Sequence, residues 1–498
     1  MILRNFDDVK ERFGSLSGTL IGVGMTAFSR ITPAYFLAPY HIVSLRKTLD
    51  LPLLRSKAEI FCLEEETGEP ARGKGLNSAR LLDHPLTQQF LKKLPEPKHL
   101  LLYQNYPDLM ELGKNEGWDL LANPPDLRIR VGGRDFFKRM VTALELPAVP
   151  GAIHPIEAIH TRGHSYWTSV FGAEFVVQLP EIVQGGGRGT FFIRSQQEYE
   201  QLQTRLKEKS WRGVELSSVA VNRFVQGTPA SVAMCLTRHG ILTSRLQRQL
   251  VDLPYCKDLP EDGIFCGHVW DETPWPFWAA ENATTQADLI GKFLWDLGYK
   301  GILGIDFVIH EKKKQVYPLE INPRFTGAFP MLSLLYLKEG MIPLEVFHLL
   351  EFLDVPYEVN VAGLNEQYAS PIRGSHLLLF LPGGDGQAPT REFKAGIYEH
   401  HQAERNVSFV SEAMDYRDIR NDNQFVIIDG PLAFPEVGRQ PHDPSVIRSG
   451  RREDVFGATD PPYRLCRILF PCPVADKKGI LSPHALGVIE WIYGSCVE

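Results

Sequence analysis

None of the seven cysteines in this 498-residue chain stands in a CxxC pair, and the odd count leaves one over in any disulfide scheme. Scattered thiols fit a reducing compartment better than a disulfide-stapled secreted fold. Cys256, Cys266 and His268 are near one another in sequence, but their spacing matches no common metal site. No run reaches the roughly 18 apolar residues that cross a bilayer, and the opening MILRNFDDVKERFG lacks the apolar core of a signal peptide. A cytoplasmic protein is expected. Basic charge is not in excess: the net charge is −7. That removes the general positive field that attracts nucleic acid or anionic lipid, so neither is expected as a partner. There is no repeat of fixed period and no low-complexity tract. A Ser-His-Asp or Cys-His arrangement is not evident either.

What remains is a soluble globular composition, 44% hydrophobic and 23% charged, in a chain long enough for two to four domains. Short apolar runs at TLIGVG, HIVSLR, AEIFCL and HLLLYQ alternate with helical segments such as PLTQQFLKK. That order predicts an α/β layer on a parallel sheet over residues 1–130. NPPDLRIRVGG is expected to break structure and mark a boundary. After it, Phe136, Phe137, Met140, Val141 and Leu144 recur at helical spacing. Strands and helices then mix through a central domain, residues 131–355. TQADLIGKFLWDLGYKG reads as an amphipathic helix ended by glycine, and MLSLLYLKEGMIPLEVFHLLEFL as a helical core segment. Residues 356–498 are richer in β and turn signals and read as an accessory or lid domain. They contain one long polar loop, GRQPHDPSVIRSGRREDVFGATDPP.

The chemistry concentrates in GIDFVIHEKKKQVYPLEINPRFTGA. Two apolar runs flank EKKKQ, and a hairpin centred on Lys313 places Asp306 opposite Glu320. Asn322 then lies on the same face, one pair further on. Two like charges facing each other destabilise a hairpin unless a cation sits between them, and hard divalent cations prefer oxygen ligands. The trio reads as a cradle for Mg²⁺ and nucleotide; an exposed face of hydrated acids fits the spacing equally well. Arg324, stiffened by Pro323, can hold a carboxylate or a developing phosphoryl charge; a surface arginine in a peripheral ion pair is the alternative. GGGRG, residues 185–189, lies between two strands and does not open a helix, so it is neither a Walker loop nor a dinucleotide fingerprint. Its glycines would let backbone N–H groups approach phosphates; a flexible hairpin tip is the alternative. Arg373, His376 and Arg467 face a cleft or else satisfy the surface and the core.

In this order the pieces resemble the ATP-grasp superfamily, over roughly residues 134–352. The helix and proline bend at 134–150 precede FVVQLPEIVQGGGRGTFFI. The linker VAVNRFVQGTPASVAM follows, and the acid–x–Asn–Pro–Arg signature LEINPR closes the series. The resemblance implies an α/β (α+β) ATP-grasp fold with a small α/β domain before it and a β-rich domain after it, a domain order like that of biotin carboxylase. It implies that Asp306, Glu320 and Asn322 hold Mg²⁺, or Mn²⁺ in its place. Gly186, Gly187, Arg188 and Gly189 would cover the ATP phosphates. Arg223, Phe224 and Val225, within a hinge at 219–227, would lie along the adenine, largely through backbone groups. Asn222 stands at the start of the hinge, where relatives often carry an acid, and Arg324 would position the acyl group or its phosphate. Where relatives carry a lysine for the α-phosphate, Gln178 stands, and Arg134 replaces a lysine at the start of the upstream helix. The implied activity is ATP-dependent carboxylate–amine ligation through an acyl phosphate, with small-molecule carboxylate and amine substrates such as amino acids or a peptide. A carboxylase-like enzyme using bicarbonate and a non-catalytic ATP-binding regulator remain as alternatives. A homodimer is compatible with everything in the sequence.

Overall fold

The computed structural model describes residues 2–69, 77–182, 186–211, 213–256, 261–271, 275–380, 394–404, 406–430 and 464–497. The long polar loop and Gly185 fall outside them. β1 (Thr19–Gly24), β2 (His41–Ser44), β3 (Glu59–Cys62), β4 (Lys98–Leu101) and β5 (Asp119–Leu121) form a sheet in the order β3-β2-β1-β4-β5. Every pairing is parallel. β1, β2 and β4 are buried at every position, as strands covered on both faces must be, which is why they read as unbroken apolar runs. The chain order reverses between β1 and β4. The carboxyl ends of those two strands therefore flank the kind of crevice where open α/β sheets bind ligands.

The segment expected to break structure does the opposite: Pro125 occupies the first turn of a helix, Pro125–Gly132. Proline is tolerated there because its missing N–H has no intrahelical partner to lose. A second helix, Arg134–Ala143, follows directly. A smaller sheet comprises β6 (Gly151–Pro155), β7 (Phe175–Gln178) and β8 (Thr190–Ile193), with a short pair, β9 (Ser210–Trp211) and β10 (Val214–Glu215), beside it. β11 (Ser218–Arg223) completes the order β6-β11-β7-β8.

The large sheet contains β12 (Thr228–Thr237), β13 (Gly240–Thr243), β14 (Gln247–Val251), β15 (Phe265–Trp270), β16 (Gly301–His310) and β17 (Gln315–Asn322). It continues through β18 (Gly374–Phe380), β19 (Gly396–His401), β20 (Asn406–Ser411), β21 (Gln424–Ile428) and β22 (Arg464–Phe470). The C-terminal strands thus extend the sheet of the central region, joined where β15 pairs with β18. One face packs on the helix Phe277–Asp296, which starts eight residues before the sequence pattern does. The expected helical core segment is two helices, Phe329–Lys338 and Leu344–Phe352, parted at Gly340 and Pro343. These bury against the N-terminal sheet and fix its position over the signature loop. A closing helix, Pro483–Val497, lies in a region read from sequence as β-rich. Among the described residues no helix is long and apolar enough to cross a membrane.

Candidate active site

The β16–β17 hairpin pairs Asp306 with Glu320 and Gly304 with Asn322, the expected register. Between Asp306 and Phe307 the register slips by one residue, because Phe307 pairs with Pro318. Leu319 bulges out, 43% exposed, and β17 bends where proline cannot donate to the ladder. The result turns both acids to one face. Burial, then the facing Glu320, pushes the Asp306 carboxyl well above its ordinary range. Its oxygens accept from Gln249 Nε2 at 2.8 Å and Asn322 Nδ2 at 2.9 Å. Asn322 Nδ2 also reaches Glu320 Oε1 at 3.4 Å. An amide N–H group thus bridges two acids with no full positive charge between them. Such a donor set, two carboxylates and a carboxamide, suits Mg²⁺, with the amide turned to present its oxygen. Among the described residues no third acid, imidazole or thiol joins them.

Arg324 continues the row. Nη2 donates to Asn322 Oδ1 at 2.9 Å, and Nη1 donates to Phe325 O at 3.1 Å and to the Tyr103 hydroxyl. Its guanidinium lies 5.2 Å from the Tyr103 ring centre, and Phe325 N–H donates to Tyr103 O at 3.2 Å. Tyr103 follows β4, so Arg324 stands at the crevice of the N-terminal sheet. Arg30, after β1, is buried and stacks 4.9 Å over Phe325. The signature loop is thereby anchored on both strands of the switch point.

At the other end Arg134 Nη1 donates to Gln178 Oε1 at 2.6 Å, and Asn222 Nδ2 reaches the same oxygen at 3.4 Å. Burial lowers the Arg134 pKa, and Glu320 opposes that shift. A guanidinium from the neighbouring helix thus stands beside Gln178 and within electrostatic reach of Glu320. Gly151 has room for the Asn222 amide only because it lacks a side chain: a Cβ there would lie 1.9 Å from Asn222 Oδ1. In the glycine loop, Gly187 has φ +86, and its Cβ would meet Gly263 O at 2.2 Å. Phe265 N–H donates to Gly186 O at 3.3 Å, and Asp262 Oδ2 accepts from Phe192 N–H at 2.8 Å. The loop with Gly186, Gly187, Arg188 and Gly189 thus rests on the start of β15.

The hinge differs from expectation in its backbone. Arg223 N–H is taken by Pro150 O at 2.8 Å and Phe224 N–H by Glu174 O at 3.3 Å. Two of the three expected purine contacts are thus spent within the protein. Val225 N–H meets no acceptor among the described residues, and the Phe224 ring packs 5.3 Å from Phe192. Arg373 is a surface residue paired with Asp422 at 2.7 Å. His376 and Arg467 are buried and satisfy the core, on the sheet face that carries Asp306. Cys266 is buried and bonds the Ile264 carbonyl; the Cys256 side chain lies outside the described residues, and among the described residues no metal-ligating cluster includes Cys266 or His268. Sequence reading missed Gln249, Tyr103 and the joint where Asp429 accepts from Thr26, Arg464 and Arg467. The alternation of Gln247 and Gln249 on β14 was an available signal for the first; nothing local marks the other two.

Residues 180–328 match the model of the ATP-grasp domain. The large chain of arginine-specific carbamoyl phosphate synthase from Geobacillus stearothermophilus is 23% identical over 261 residues, 51% of this chain. The chain spans 23% of the length of that curated relative. Among solved structures, the biotin carboxylase domain of Hydrogenobacter thermophilus 2-oxoglutarate carboxylase, with MgADP and bicarbonate, has a TM-score of 0.53 at 12% identity, covering 92% of this chain and 87% of that one. Rhizobium etli pyruvate carboxylase gives 0.56 at 14% identity, covering 92% of this chain and 36% of that one. The N5-carboxyaminoimidazole synthase of Aspergillus clavatus, with ADP and an aminoimidazole ribonucleotide, gives 0.52 at 12% identity, covering 96% and 99%. These likenesses establish the fold.

Proposed function

We propose that this chain, whose residues 180–328 match an ATP-grasp domain, is an ATP-dependent carboxylate–amine ligase. The observation that carries the proposal is the row Glu320–Asp306–Asn322–Arg324, acidic at one end and cationic at the other, with the glycine loop docked beside it. Bound Mg²⁺ would neutralise charge spread over the transferring phosphoryl group. Asp306, Glu320 and the Asn322 oxygen would hold it. Backbone N–H groups of Gly186–Gly189 would cover the phosphates, Arg134 beside Gln178 would meet their far end, and Val225 N–H would meet the purine edge. Arg324, braced by Tyr103, would hold the substrate carboxylate against the γ-phosphate. A carboxylate oxygen attacks phosphorus and ADP leaves, giving an acyl phosphate. The amine then attacks the carbonyl carbon, the C–O bond to phosphate breaks, and the amine proton leaves with the phosphate. Positioning and charge stabilisation suffice, so no side-chain nucleophile is needed. Amino acids or a small peptide are the proposed substrates.

ADP release over pooled amino acids and small carboxylates, with and without amines, tests this. Amine-dependent turnover is expected. Release driven by bicarbonate alone would make the protein a carboxylase-like enzyme, and tight ATP binding without turnover under any pool would make it a regulator.

A further inference from the structure

One face of the large sheet carries a polar row with a hydroxyl proton that the ligase mechanism leaves unused. Glu320 pairs with Asp306, Asp306 with Ser231, Ser231 with Gln247, Gln249 with His268, and His268 with His376. Directly opposed residues share a face, so these form one polar row. Arg467 Nη1 lies 3.0 Å from His376 Nδ1. A guanidinium only donates, so Nδ1 accepts and the His376 proton is on Nε2. That nitrogen lies 3.0 Å from His268 Nδ1, which must accept, so the His268 proton is also on Nε2. His268 Nε2 lies 3.3 Å from Ser231 Oγ, and Gln247 Nε2 donates to the same oxygen at 3.1 Å. Trp270 Nε1 donates to Gln247 Oε1 at 2.9 Å and so fixes which way that amide faces.

Ser231 Oγ therefore accepts twice. Its own proton meets no acceptor among the described residues, in a side chain 4% exposed. The direction of the chain is fixed, because burial, then Arg467, pushes His268 down to about 3 and His376 well below its ordinary value. Arg467 is itself held by Asp429 Oδ2 and Gly327 O, each at 3.2 Å. Ser231 is the strand partner of Asp306, while the His268 ring packs 4.8 Å from Phe265, whose N–H bonds Gly186 O. The serine thus lies on the floor between the acid pair and the glycine loop.

We propose that the Ser231 hydroxyl donates to a phosphate oxygen of the bound nucleotide, aimed there by the Arg467–His376–His268 relay. This rests on the nucleotide reading of the site given above. Calorimetric titration with Mg·ATP and with adenosine compares wild type, S231A and S231C. S231A is expected to weaken Mg·ATP about tenfold and leave adenosine unchanged, because a hydrogen bond to a charged group is lost. S231C, close in volume but a weaker donor, falls between; if S231A does not fold, S231C against wild type decides alone. H376L, which removes the relay and keeps the serine, produces part of the same phosphate-specific loss. Equal Mg·ATP affinity in the folded serine variants, or equal losses for adenosine and Mg·ATP, overturns the proposal. A wild-type protein that binds no Mg·ATP overturns the ligase reading itself, and the role of Ser231 with it.

Discussion

Replacing Glu320 with Gln removes one of two acids that face each other across a hairpin, and the geometry sets opposite signs for two readouts. Directly opposed residues hold their Cβ atoms about 5 Å apart, which sets the scale of the carboxylate separation. At that distance two unit charges repel by about 3 kcal/mol at an effective dielectric of about 20. Solvent and salt at this partly open site reduce that to about 1 kcal/mol. Metal-free E320Q is thus expected to be more stable than wild type, with a melting midpoint higher on the order of 1 °C in so long a chain. Added Mg·ATP at about 100 times its Kd stabilises the wild type by about 2.7 kcal/mol, and E320Q loses most of that. The pH dependence has a definite sign. Asp306 binds its proton more tightly folded than unfolded, first through burial and then through Glu320. Metal-free stability therefore falls as pH rises from the ordinary aspartate range through the raised folded value. E320Q flattens that fall. Thermal denaturation with and without Mg·ATP across pH 4–8 is the assay. A metal-free E320Q that melts below wild type and keeps its full Mg·ATP shift would mean that Glu320 neither repels Asp306 nor holds the metal.

If Arg134 supplies the charge that Gln178 lacks, R134Q should weaken Mg·ATP about tenfold by calorimetry, and adding Q178K should recover it; no recovery would place neither residue at phosphate. G187A combines a left-handed φ costing about 1–2 kcal/mol with a Cβ against Gly263 O, so ADP release should fall more than tenfold while the far-UV circular dichroism spectrum is kept. R324A should lower kcat/KM for the carboxylate at least 100-fold in the ADP-release assay, whereas Y103F, which removes only a brace, should raise KM by less than about fivefold. D429N should cost about 3–5 kcal/mol in urea, because Arg464 and buried Arg467 lose their acid. Burial raises the Asp429 carboxyl, but the two arginines outweigh it and hold it below its ordinary value. Its stabilisation is thus present above the ordinary aspartate range and lost on acidification.

The parts legible in the sequence were those held in local pattern. The Asp306–Glu320 register followed from two apolar runs about a polar centre, and the parallel sheet from short apolar runs alternating with helical segments. The Leu319 bulge was not legible, because a one-residue slip leaves the apolar count of β17 intact. Pro125 was misread because proline breaks a helix interior yet starts a helix equally well. Tyr103 on Arg324 and Thr26 on Asp429 join residues separated in sequence by 221 and 403 positions. No local spacing encodes such contacts. The same holds for the relay from Arg467 to Ser231, which exists only because four β pairings bring separate polar residues onto one face.

Hydroxylamine trapping intercepts the acyl phosphate itself. With Mg·ATP, pooled carboxylates and hydroxylamine in place of the amine, the acyl phosphate should be captured as a hydroxamate formed in step with ADP and absent without ATP. ADP release with no hydroxamate from any carboxylate pool would contradict the account.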